Sequence, residues 1–162
     1  MKLGLNDAGW SHNLAITAIN AQTGELDTFT AHNDVDIIDA VAASGAVPGL
    51  WPHVHIKGND WIDGGMISST NTHLAQGYNK IIVIAPLDYK QGMVPSVYDE
   101  VAMLQQHSQV LLITLDNDSR QMIGSNIYDN SNLRAIGDAG YVQGTYIVKN
   151  EQQLIKYWRK YN

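Results

Sequence analysis

The chain of 162 residues contains no cysteine and no long apolar run. Without cysteine, disulfide bonds and thiol catalysis are excluded. No apolar stretch approaches the roughly 20 residues that a membrane-spanning helix needs. Asn6 and Asp7 interrupt the N-terminal stretch too early for the apolar core of a signal peptide. These absences predict a soluble, cytoplasmic protein.

Runs of like charge are also missing. Ten basic and sixteen acidic residues give a net charge of -6, and neither sign is clustered. A nucleic-acid surface needs a basic patch or stripe, so no nucleic-acid partner is predicted. No cofactor is predicted. At 44% hydrophobic residues the composition is typical of a globular protein, and the length predicts a single domain over residues 1–162.

Two hairpins are predicted in the first part of the chain. Residues 14–19 have strand character, and a turn at Gly24 returns the chain into residues 26–29. Residues 53–57 and 60–62 form the second pair, around a turn at Gly58 and Asn59. The second hairpin leads directly to Asp63.

Helices are predicted from caps and spacing. Asp34 and Asp36 favour a helix N-terminus, and Pro48 ends that helix. Its apolar face contains Ile37, Ile38 and Val41. Asn71 is predicted to cap a short helix that ends at Gly77.

A parallel sheet is predicted further along. Residues 81–85 form a continuous apolar run, which is typical of a strand covered on both faces. Ser96 and Asp99 have the spacing of a capping box at the start of a helix, and residues 110–115 form the next strand. The predicted fold class is therefore α/β, with a mostly parallel sheet flanked by helices.

The C-terminal part is predicted to be helical. Gly137, Gly140 and Gly144 each cost about 1 kcal/mol relative to alanine in a helix, so tight packing against a neighbour is expected. Asn150 with Gln153 is predicted to cap a final helix.

Asp63, Gly64 and Gly65 form the candidate site. Glycine adopts positive φ without steric cost, so this pattern indicates a sharp turn at a strand end. Asp-Gly is also a common hairpin turn. A carboxylate at a strand tip can equally act as a base or orient one, and the pattern alone leaves both interpretations open.

Several segments in order resemble the patatin-like phospholipase family, especially its bacterial members. Residues 16–25 resemble a family strand with its Thr-Gly-Glu turn, and residues 40–48 resemble an Ala-Ser-x-Ala-x-Pro block. Residues 58–65 are similar to the Asp-Gly-Gly motif of the family's catalytic aspartate. Residues 77–86, 124–129 and 140–144 resemble later segments.

The resemblance implies an acyl-ester hydrolase with a Ser-Asp dyad, in which Asp63 is the catalytic residue and Gly64 and Gly65 complete its motif. The family's serine lies in a Gly-x-Ser-x-Gly elbow, near a glycine-rich oxyanion loop. No serine here has that spacing, and the nearest match is Ser44, which is followed by a glycine at the wrong position. The chain is therefore expected to be the C-terminal portion of such an enzyme, with an incomplete fold that lacks the N-terminal strands and the elbow.

The implied substrate of the complete enzyme is a phospholipid or another acyl ester. A missing central strand would expose sheet edges, which predicts a homo-oligomer or pairing with the missing N-terminal portion. The alternative is a non-catalytic interaction or regulatory domain that kept the sheet.

Other candidates have simpler explanations. His53 and His55 share a strand face, but no third metal ligand is evident, so no metal is predicted. The segment 116–118 is better explained as a helix cap or an ordinary loop than as a calcium loop. Some residues are candidates for a triad base or an acyl groove, although surface or core positions are the simpler interpretation: His73 and His107 for the base, and Tyr89, Met93, Val94, Pro95 and Tyr98 for the groove.

Overall fold

The computed structural model describes residues 8–88, 92, 94–127, 129 and 131–156, with the side chains of Gln153 and Leu154 left out. The described residues form two compact units. The first lies within residues 1–71 and 91–95, and the second within residues 72–90 and 96–162.

The first unit contains both predicted hairpins. Strands β1 (Ala15–Asn20) and β2 (Leu26–Thr30) pair antiparallel, as do β3 (Val54–Ile56) and β4 (Asn59–Asp63). The two hairpins join through β1 and β4, which gives the strand order β2-β1-β4-β3. The second turn is formed by Lys57 and Gly58, both at positive φ, rather than by Gly58 and Asn59.

Helix α1 (Ile37–Ser44) packs on this sheet and closes the first core. Its N-cap is Asp36, whose carboxylate accepts a hydrogen bond from the Ile38 amide. The buried residues of the helix are Ile37, Ala40 and Ala43. Of the predicted apolar face, Ile37 is buried, whereas Ile38 and Val41 are half-buried. The small alanines face the sheet and allow close packing. The core of this unit contains Ala18, Phe29, Ala40, Ala43, Ile56 and Trp61.

The second unit contains a two-stranded parallel sheet. Strands β5 (Lys80–Ala85) and β6 (Gln109–Thr114) are joined through helix α2 (Val97–Leu104), which begins with the predicted capping box at Ser96. The core contains Ile81, Val83, Ala85, Val97, Val101 and Leu104.

Mixed α/β structure is thus present, but a mostly parallel sheet is not confirmed. The larger sheet is antiparallel because its hairpins use short turns, whereas only β5 and β6 have the helical crossover that parallel pairing requires. Within the described residues, the second face of β5 is also left uncovered, since Ile84 is 70% exposed.

The remaining helices are α3 (Asn117–Ile123), α4 (Leu133–Asn150) and α5 (Gln152–Ile155). Asn150 lies inside α4 and its side chain donates to the Tyr146 carbonyl, so the predicted cap at Asn150 is wrong. Among the described residues, no helix is both long and apolar enough to cross a bilayer.

Candidate functional site

Asp63 is the last residue of β4, next to β1 in the antiparallel sheet. Its register partner on β1 is Ala18. Its backbone amide donates to the Ala46 carbonyl at 3.1 Å, in the segment that follows α1. The backbone of Asp63 is therefore held by the sheet on one side and by this segment on the other.

The Asp63 side chain is oriented by the turn that follows it. A short 3₁₀ turn, Gly64–Met66, begins here, and Oδ1 of Asp63 accepts a hydrogen bond from the Gly65 amide at 2.6 Å. Asp63 is half-buried. One carboxylate oxygen is thus fixed in direction at a strand end, the place where the sequence predicted a functional group.

Gly64 is required here for a reason that differs from the predicted one. Neither Gly64 nor Gly65 is among the positive-φ residues. Instead, a Cβ atom at Gly64 would lie 2.6 Å from Thr17 Oγ1 and 2.7 Å from the Thr17 carbonyl oxygen. Gly64 therefore lets the turn after Asp63 lie directly against strand β1.

Asn71 holds the same turn from the other side. Its Nδ2 donates to the Gly64 carbonyl at 3.0 Å and to Thr17 Oγ1 at 3.3 Å. The short helix predicted after it is present as a 3₁₀ helix, Thr72–Ala75. The side chain of Asn71 thus binds the Asp63 turn.

His53 and His55 do meet a third residue, which the sequence reasoning missed. Asp60 lies opposite His55 in the β3–β4 register, and its Oδ1 is 2.9 Å from His55 Nδ1 and 3.5 Å from His53 Nε2. The hydrogen bond from His55, with the nearby histidine charges, lowers the pKa of Asp60. Within the described part of the chain, no group of three His, Cys, Asp or Glu residues is arranged to hold a metal ion.

A second polar cluster lies in the second unit and was also missed. Arg120 forms two hydrogen bonds to Asp88, and the Tyr98 hydroxyl donates to Asp88 Oδ2 at 2.7 Å. The three residues are far apart in sequence, so no spacing rule identifies them. Tyr98, proposed for an acyl groove, is used here as a hydrogen-bond donor; Tyr89 and Met93 lie outside the described residues.

The remaining candidates from the sequence are Asp116, His73 and His107, and each has a simple local position in the structure. Asp116 is the N-cap of α3 and accepts from the Ser119 amide at 2.8 Å, which confirms the helix-cap interpretation. That hydrogen bond lowers the pKa of Asp116. His73 is exposed in the Thr72–Ala75 turn, and His107 is exposed just after α2.

No serine in the full sequence lies in a Gly-x-Ser-x-Gly elbow. Ser44 is the last residue of α1. Ser11 is a closer match than Ser44, because Gly9 precedes it at the elbow spacing, but Asn13 stands where the second glycine is needed. Ser11 also precedes a strand, whereas an elbow serine joins a strand to a following helix.

The patatin-like phospholipase family model matches residues 4–75. This match includes Asp63, Gly64, Gly65 and Asn71, whereas the later segments that resemble the family lie outside it. A search of curated proteins finds no match. Over residues 4–75 the match supports the patatin-like phospholipase family, which is a family of lipid acyl hydrolases.

Proposed function

We propose that this chain supplies Asp63 as the catalytic carboxylate of a patatin-like lipid acyl hydrolase that works through a Ser-Asp dyad. The observation that carries the proposal is the hydrogen bond from Gly65 N to Asp63 Oδ1, at a strand end and within the residues matched by the family model. The substrate class is a phospholipid or another acyl ester.

The chemistry needs a base whose direction is fixed. The attacking serine oxygen forms a bond to the acyl carbon while its proton moves to Asp63, and the resulting oxyanion collapses as the alcohol leaves with that proton. Water then cleaves the acyl-serine bond by the same route. Because Oδ1 is oriented by Gly65, Oδ2 is the oxygen that we assign to proton transfer.

The serine and the oxyanion donors have to come from polypeptide other than these residues, since no Gly-x-Ser-x-Gly occurs in the sequence. We propose that an N-terminal portion, or a partner chain, provides both. The chain then pairs with whichever of the two carries the elbow serine. A homo-oligomer of this chain would add no such serine, since every copy lacks the motif.

A second candidate is a non-catalytic interaction or regulatory domain. Two observations favour it: the sequence has no elbow serine, and Ile84 leaves apolar surface exposed on β5. Such a domain would use the sheet to bind a partner and would not need the Asp63 carboxylate.

A labelling experiment separates the two. The chain alone is expected to give neither p-nitrophenyl ester hydrolysis above background nor labelling by a fluorophosphonate probe. Coding sequence upstream of Met1 that contains Gly-x-Ser-x-Gly, expressed together with this chain, is expected to restore both. A stop codon upstream with no such motif favours the interaction domain, and labelling of a serine of this chain contradicts the dyad.

A further inference from the structure

Asn71 and Asp63 bind opposite ends of one peptide group, the one between Gly64 and Gly65. The carbonyl of Gly64 and the amide of Gly65 belong to the same peptide bond. The carbonyl accepts from Asn71 Nδ2 at 3.0 Å, and the amide donates to Asp63 Oδ1 at 2.6 Å. This peptide group therefore connects Asn71 to the carboxylate of Asp63.

A peptide group is planar, and in the trans form its carbonyl and its amide hydrogen point in opposite directions. No cis peptide bond occurs among the described residues. Fixing the Gly64 carbonyl consequently fixes the direction of the Gly65 amide. A hydrogen bond at the carbonyl also polarises the group and strengthens donation from its amide.

The geometry of Asn71 itself is unfavourable for stability. Its backbone lies in the left-handed region at φ 49°, held by a hydrogen bond of 2.6 Å from its amide to Ser68 Oγ. The residue is only 8% exposed, and its Oδ1 has no hydrogen-bond partner within the described part of the chain. A buried acceptor without a donor destabilises a folded state.

Asn71 Oδ1 has no partner because of the orientation of the side-chain carboxamide. Turning the Asn71 side chain over would place Oδ1 against the Gly64 carbonyl, so that two acceptors would face each other. The observed orientation satisfies the carbonyl of Gly64 and leaves Oδ1 unpaired. The side chain therefore binds the Asp63 turn through Nδ2 and leaves its own Oδ1 without a donor.

We propose that Asn71 is a positioning residue for Asp63, acting through the Gly64–Gly65 peptide group. The functional importance of this role rests on the proposed hydrolase function. Asn71 does not touch the reacting atoms; it sets the direction of the amide that orients Asp63 Oδ1.

The test measures the Gly65 amide by NMR in the chain alone. Ionisation of Asp63 is expected to move the Gly65 amide proton shift, and Asp63→Asn is expected to abolish that response, which identifies the titrating group. In Asn71→Gly, which tolerates the left-handed backbone, the pH response is expected to fall by about half or more because the hydrogen bond loses its alignment. Ser69→Gly, an exposed change in the same loop, is the matched control and is expected to keep the full response.

A structural role predicts a different pattern. It predicts a lower melting temperature for Asn71→Gly with an unchanged Gly65 response, and that result would overturn the positioning role. Asn71→Asp is the second variant, because its carboxylate keeps the shape but cannot donate to Gly64 when ionised. If both variants keep the wild-type response, the proposal is wrong. Since no substrate is used, this outcome is independent of whether the complete protein hydrolyses esters.

Discussion

Arg120 and Asp88 form a two-point ion pair across the second unit. Arg120 Nη1 lies 3.0 Å from Asp88 Oδ1, and Nη2 bonds Oδ2. Asp88 is 8% exposed, while the Arg120 side chain is 43% exposed. The Arg120 hydrogen bonds, supported by the Tyr98 hydroxyl, lower the pKa of Asp88 and outweigh the effect of its burial.

The lowered pKa predicts a pH dependence of stability. A carboxylate whose pKa is lower in the folded state stabilises the fold above its unfolded pKa, near about 3.9 for Asp. This stabilisation is lost as the pH falls through the lower folded pKa. Asp88→Asn is therefore expected to lower the free energy of unfolding at neutral pH and to flatten its dependence on acid pH. The expected loss is about 1 to 3 kcal/mol, because water partly screens the charge of Arg120 and limits the effect.

Circular dichroism during denaturation at several pH values measures both effects. Asp138→Asn, at an exposed position in α4, is the control and is expected to follow the wild type. Superimposable acid profiles for wild type and Asp88→Asn would contradict the assigned role of the pair.

Gly64→Ala is expected to destabilise the first unit. The new Cβ would lie 2.8 Å or less from Thr17, including its backbone, so strand β1 or the turn must move. Overpacking of this kind costs about 1 to 3 kcal/mol. Gly45→Ala is the matched control because its Cβ would meet only the Val41 carbonyl, at 3.8 Å. Equal melting temperatures for the two variants would show that the close approach is not required.

Features set by neighbouring residues were predictable from the sequence. The hairpins follow from strand propensity and turn glycines. The capping box at Ser96 and Asp99 and the cap at Asp116 follow from hydrogen bonds that close within three residues. The position of Asp63 at a strand end was predicted for the same reason, since the turn signal lies beside it.

Features set by distant residues were not predictable. Asn71 and Thr17 are 54 positions apart, and no local rule pairs them. Close packing was expected at Gly137, Gly140 and Gly144, yet a Cβ at any of them would have no atom within 4 Å in the described structure. Their spacing does not reveal whether a partner covers them.

The pairing of His55 with Asp60 predicts a titration effect. The His55 hydrogen bond is the main reason that the pKa of Asp60 is lowered. In His55→Thr, the NMR titration midpoint of the Asp60 carboxyl is expected to rise toward its ordinary value. His53→Thr is the control, with a smaller expected rise because His53 acts only through its charge at 3.5 Å. An unchanged midpoint in His55→Thr would contradict the assignment.

Self-association is the fourth expectation, and it concerns the exposed face of β5. Ile84 is 70% exposed and Ile82 is 38% exposed, on the same side of a strand that has the apolar sequence of a buried one. The chain is expected to form a dimer or larger oligomer by light scattering, and Ile84→Lys is expected to reduce that association. Leu133→Lys, at a 62% exposed position in α4, is the control. A monomeric wild type, or dissociation only by Leu133→Lys, would contradict the role of β5.

Asp63→Asn tests the catalytic assignment in the complete enzyme, in which a serine is supplied. Asparagine keeps the shape of aspartate and an oxygen that accepts from Gly65, so the fold and the melting temperature are expected to change little. It cannot take up the serine proton, and loss of a positioned base typically lowers turnover by about 10²-fold to 10⁴-fold. Steady-state ester hydrolysis measures the loss, and Asp60→Asn, which changes a half-buried carboxylate on the same strand, is the matched control. If Asp63 serves only as a turn residue, Asp63→Asn retains turnover within a factor of about three of the parent, and the dyad assignment fails.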